Sequence, residues 1–180
     1  MFTLFKKKKV TENVTANIFI NSIFNTIDSG FPEIVGILND APEFVSCPQL
    51  SIANDDHFVL IVFATNIDFI ENYFESQNAD SLKIEIIEKL SEIFGTSSDE
   101  LTKAINSYQK YLSKINFPSK NKVYAMSKAI FGKYNLYDFQ DDYFKNMKSP
   151  NPMLLKRLDE VMESFVFNWE VFDKKYHLSH

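Results

Sequence analysis

The sequence predicts one all-α domain, an irregular bundle of six to eight helices, and three observations carry that reading. Apolar residues recur at three- and four-residue spacing through most of the chain, as one face of a 3.6-residue repeat requires. Only four glycines and six prolines occur in 180 residues, too few turn residues for a protein of many short strands. A chain of this length suits one domain that buries most of its apolar surface in a single core.

The bundle is expected to form around residues 55–75. Phe58–Ala64 is the longest apolar run in the chain, and on its own it would also suit a buried strand. Leu60, Phe63, Ile67, Ile70 and Phe74, however, keep helical spacing beyond that run, and Asp68, Glu71 and Glu75 form a second row on another face. Asp55 and Asp56 in front suit a helix start, where carboxylates favour free N–H groups and the positive dipole end.

Ahead of this helix, Thr11 caps a first helix to about Asp28, with Ala16, Phe19, Ile20, Ile23 and Ile27 inward and Ser29-Gly30 as its stop. Pro32 then starts a second helix carrying Ile34, Val35, Ile37 and Leu38. Residues 40–43 read as a short capped restart and residues 45–54 as a loop. Behind it, a polar break at 76–80 leads to a helix with Leu82, Ile86, Ile87, Leu90 and Phe94 inward, ending at Gly95. Ser97 and Glu100 have capping-box spacing and open the next, with Leu101, Ile105, Tyr108 and Leu112 inward and a stop at Phe117-Pro118. A sixth helix runs from Ser119 to about Phe131, a short aromatic one covers 137–147, and Ser149–Pro152 is a break. The last, about 152–175, is expected to be continuous and long, with Leu158, Val161, Met162, Phe165, Trp169, Phe172 and Tyr176 on one stripe.

Residues 1–9, MFTLFKKKK, read as a flexible basic tail rather than a weak foot on an anionic membrane, and residues 177–180 as a frayed end. No stretch approaches the roughly 20 apolar residues of a membrane span. Neither a secretory signal nor a lipidation motif is present, and one cysteine excludes an internal disulfide. The expectation is a cytoplasmic protein. Lysine outnumbers arginine eighteen to one, a bias that AT-rich coding sequence produces.

The residues that carry chemistry are sparse. No glycine cluster cradles phosphates and no serine elbow is present. None of the twelve glutamates has a histidine three residues on, so the helical di-iron pattern is absent. Asp138, Asp141 and Asp142 would align three carboxylates on a helix, and the simpler reading is a solvated helix start. Cys47 and His57 lack any third group to orient them as nucleophile and base, and His177 with His180 is a weak metal pattern. No catalytic residue, metal or cofactor is expected.

Charge is the outstanding feature. Residues 10–100 hold sixteen acids against two lysines, a net of −14, whereas residues 101–137 hold seven lysines and no acid. Lys110, Lys114, Lys120, Lys122, Lys128 and Lys133 alternate there with tyrosines including Tyr111 and Tyr124. The leading expectation is a non-enzymatic adaptor or inhibitor that meets a protein partner through an acidic face, with Asp68, Glu71 and Glu75 as candidates. The alternative is nucleic-acid or anionic-lipid binding through the lysine and tyrosine patch. A ligand pocket beside the central helix ranks last. The simplest account of the segregation is internal, with basic helices packed beside acidic ones.

Overall fold

A helix that is apolar on nearly all sides must be covered on all of them, and that helix organises the fold. The computed structural model describes residues 7–178. In it, nine of the 13 residues of the helix Asp56–Asp68 are buried, Phe58, Ile61, Val62, Phe63 and Ala64 completely. The chain runs β1 (Lys8–Val10), α1 (Glu12–Asn39), α2 (Asp56–Asp68), α3 (Ser76–Phe94), α4 (Ser98–Asn116), α5 (Lys122–Lys133), α6 (Asp142–Met147), α7 (Pro152–Met162), α8 (Trp169–Lys175) and β2 (Tyr176–Leu178). Short 3-10 turns lie at Ile70–Asn72, Leu136–Phe139 and Glu163–Phe165. α1, α4 and α5 pack around α2, with α3 against α1 and α7 against α5. The fold is all-α.

Most of the predicted inward residues form or flank the core; Phe94, expected inward, is exposed at the end of its helix. Ala16, Phe19, Ile20, Ile23 and Ile27 of α1 and Leu101, Ile105, Tyr108 and Leu112 of α4 are all buried. Thr11 Oγ1 accepts from Val14 N at 3.3 Å, and Ser97 and Glu100 close both bonds of the capping box. The caps stop these helices from fraying by satisfying N–H groups that have no partner inside the helix.

Three expected helix ends are elsewhere. The central helix, expected over about 55–75, ends at Asp68 and is followed by the 3-10 turn Ile70–Asn72. α1 does not stop at Gly30; it continues through Gly30 and Pro32 to Asn39. Pro32 and Asp28 are both on the solvent side, so the Asp28 carbonyl that Pro32 cannot serve is open to water. Gly30 is required by packing instead, since a Cβ there would lie 2.6 Å from Cζ of the fully buried Phe165. Conversely, the long C-terminal helix is broken into α7, a 3-10 turn and α8. Asn66, wholly buried in α2, takes over where helical bonds end. Its Nδ2 donates to Val62 O at 2.9 Å and Phe165 O at 2.8 Å, and its Oδ1 accepts from Phe167 N at 2.7 Å. Asn168 then caps α8 by accepting from Val171 N. The break lets Phe165 and Trp169 both reach the core, where Trp169 stacks on Phe19 at 5.4 Å.

Smaller differences have equally local causes. Residues 76–80, expected as a polar break, form the first turn of α3, and Ala79 supplies its buried contact. Residues 40–43 are a turn rather than a helix. Lys8 and Lys9, expected in a tail, lie in β1, which pairs parallel with β2, so His177 and Leu178 are strand residues rather than frayed. Residues 1–6, 179 and 180 of the expected tails, His180 among them, lie outside the described residues. No helix is long and apolar enough to cross a membrane among the described residues.

Candidate functional site

The two ends of α2 carry the surface features with chemical potential, and the sequence-predicted residues divide between them. At its C-terminal end, Asp68 pairs with Lys122 at 2.5 Å, and the ammonium of Lys122 lies 4.5 Å from the centre of the Phe69 ring. Glu71 pairs with Lys83, whose hydrogen bond and charge hold the carboxyl below its usual range. Glu75 is exposed one turn beyond. The predicted acidic row is therefore largely matched within the molecule, and the contact across 54 residues from Asp68 to Lys122 joins it to the basic segment.

The lysine and tyrosine patch is likewise half spent internally. Lys128 lies 4.1 Å from the centre of the Tyr124 ring and donates to Ile115 O, with burial pushing its ammonium down. Lys133 sits between Tyr108 and Tyr111, 4.2 and 4.7 Å from the ring centres. Gly132 permits that arrangement, because a Cβ there would fall 1.9 Å from the Tyr111 hydroxyl. Lys110, Lys114 and Lys120 are exposed and have no ion pair among the described residues. Lys110 and Lys114 share a face of α4, while Lys120 is set apart on the α4–α5 loop.

At the N-terminal end of α2 the capping expected of Asp55 is absent, and the Tyr134 hydroxyl fills that role. It accepts from Phe58 N at 3.2 Å and donates to Asn54 O at 2.8 Å, and burial pushes its ionisation up. Tyr108 bonds His57 Nδ1 at 2.6 Å, and burial, with the charge of Asp56 beside it, raises its ionisation as well. Asp55 and Asp56 are left on the surface. With Glu100 they rim an apolar groove of about 470 Å³ whose walls include Phe24, Leu60 and Phe94. Phe24 and Phe94 meet edge to face at 6.1 Å. None of the three carboxylates forms an ion pair among the described residues, and no lysine lines the groove. A smaller hollow of about 150 Å³ beside it shares Asp55 and adds Asp28 and the exposed Ile52.

Sequence reasoning read Asp55 and Asp56 as caps and so passed over them as a partner face. The available signal was the lack of any lysine within a turn of either. Cys47 and His57 are each engaged elsewhere, the thiol with Gln49 N and the imidazole with Tyr108. Asp141 caps α6 and Asp138 faces Lys145 at 3.7 Å, so two of the three aspartates have ordinary structural partners, while Asp142 lies in the first turn of α6. No group of three metal-ligating side chains is assembled among the described residues. No family model, curated protein or solved structure matches the chain.

Proposed function

We propose that the protein is a binding module that holds a basic, apolar-bearing segment of a protein partner in the groove at the N-terminal end of α2. One observation carries the reading: Asp55, Asp56 and Glu100, none of them in an ion pair among the described residues, surround the apolar walls formed by Phe24, Leu60 and Phe94. Apolar walls reward burial of aliphatic side chains, and the carboxylates of Asp55 and Asp56, with that of Glu100 held in its capping box beside them, select lysine or arginine at the edge. The net charge of −14 over residues 10–100 adds a long-range attraction for a basic partner.

A fluorescently labelled amphipathic lysine–leucine peptide tests the reading by anisotropy at low and physiological salt. Binding is expected to weaken as salt rises, and Asp55→Lys with Asp56→Lys to weaken it by about tenfold or more, the scale of lost rim charges. Binding that the double variant leaves unchanged, with circular dichroism showing it folded, would overturn the proposal.

A further inference from the structure

The groove at the N-terminal end of α2 favours apolar side chains next to lysines, and the chain itself carries such a segment. Residues 1–9, MFTLFKKKK, set Phe2, Leu4 and Phe5 ahead of the only run of four lysines in the sequence. In the groove wall Phe24 is half-buried and Phe94 exposed, and their edge-to-face contact leaves ring surface for a further aromatic side chain. Lys8 and Lys9 are exposed and form no ion pair among the described residues, whereas Lys7 pairs with Asp173 at 2.9 Å. The groove's rim has Asp55 and Asp56, with Glu100 in its capping box beside them, and no lysine among the described residues. Segment and groove are complementary in both charge and apolar surface.

Position decides which copy supplies the segment. The described chain begins at Lys7, which its ion pair holds beside α8. Val171, Phe172 and Tyr176 line one hollow with Ile18, Ser22 and Thr26, so α8 lies along that face of α1. Phe24 follows Ser22 by two residues, about 200° around a helix of 3.6 residues per turn. The groove therefore opens on the far side of α1 from the point where residues 1–6 join the fold. Six residues reach at most about 20 Å, and within one copy they would have to bend round a helix about 10 Å thick. A neighbouring copy meets the groove with no such detour.

We infer that the protein associates with itself head to tail, residues 1–6 of one copy seating Phe2, Leu4 and Phe5 in the groove of the next and bringing its lysines to Asp55 and Asp56. Self-association rests on the groove's role as a peptide-binding site. Segment and groove are different surfaces, so each copy keeps one of them free for a further copy until a ring closes.

Sedimentation velocity of the full chain over about 10 µM to 1 mM tests it, the range of weak contacts carried by one short segment. Mean mass is expected to rise with concentration and to fall as salt rises. Phe2→Asp with Phe5→Asp disables the segment, and Asp55→Lys with Asp56→Lys disables the groove; each pair should weaken association by about tenfold or more. The decisive arm mixes the two variants. The sound segment of one meets the sound groove of the other, so a one-to-one dimer forms that neither variant forms alone. Head-to-tail association is overturned by a parent that stays monomeric at about 1 mM. Either variant associating as the parent does, with circular dichroism showing it folded, or a mixture that yields no dimer, overturns it as well. A peptide of residues 1–9 should bind the groove and dissolve the assembly. If the lysine–leucine peptide binds and this one does not, self-association falls and the groove stands; if neither binds, both fall.

Discussion

The first long helix and the C-terminal segment invert each other's sequence signals. α1 contains Ser29-Gly30 and Pro32, the strongest stop signals in its half of the chain, yet runs unbroken for 28 residues. Residues 152–175 contain no glycine and no proline after Pro152, and carry an uninterrupted apolar stripe, yet break at Glu163–Asn168. The two departures meet in space. The ring of Phe165, from the break, fills the room that Gly30 leaves in the helix that should have ended. Helix propensity is a preference of tenths to a few kcal/mol per residue, and a buried aromatic ring or a buried amide bridge outweighs it.

The largest expected effect comes from removing the bridge that makes the break affordable. Asn66→Leu leaves Phe165 O and Phe167 N without their buried partner, and is expected to destabilise by about 3–5 kcal/mol, one desolvated group at a time. Urea unfolding measures it. A loss under about 1 kcal/mol would mean that the 163–168 turn holds without Asn66.

Gly30→Ala tests the other side of the same contact. A methyl group 2.6 Å from a fully buried ring forces repacking worth about 1–3 kcal/mol, against which alanine returns about 1 kcal/mol of helix propensity. Net destabilisation of about 1–2 kcal/mol is expected. If the variant is more stable than the parent, Gly30 does not hold the place of Phe165, and the contrast between the two segments loses its physical basis. Asn168→Ala removes the cap that restarts the chain as α8, and should lower stability by about 1 kcal/mol. Loss of helix signal without loss of stability would separate α8 from the core.

What was legible beforehand follows from this contrast. Inward stripes are local, so Leu101, Ile105, Tyr108 and Leu112, or Ala16 to Ile27, could be read from spacing alone. Caps are local too, as Thr11 and the Ser97–Glu100 box show. Where a helix continues or breaks depends on residues far away, such as Asn66 acting on Phe167 across 101 positions. The candidate sites divide the same way. Charge segregation was visible, but which acids meet lysines was not, because Asp68 finds Lys122 only through the packing of α5 on α2. Asp55 and Asp56 form no ion pair among the described residues, and Tyr134, 78 residues beyond Asp56, takes the capping role that their position suggested for them.

The smallest effect gives the sharpest control, because it repeats one substitution in one helix. Gly36 lies six residues beyond Gly30 in α1, and a Cβ there would meet nothing within 4 Å. Gly36→Ala therefore carries only the backbone term, and is expected to stabilise by about 0.5–1 kcal/mol through the restricted unfolded chain and the better helix former. The same exchange should thus change sign between positions 30 and 36. If both alanines stabilise, continuity of α1 is a matter of propensity and Phe165 merely fits around it. If both destabilise, residues 31–39 are held by something other than a plain helix, and the passage through Pro32 needs a tertiary partner that Gly30 and Phe165 do not supply. Opposite signs leave packing at Gly30 as the reason that a glycine sits in the middle of an unbroken helix.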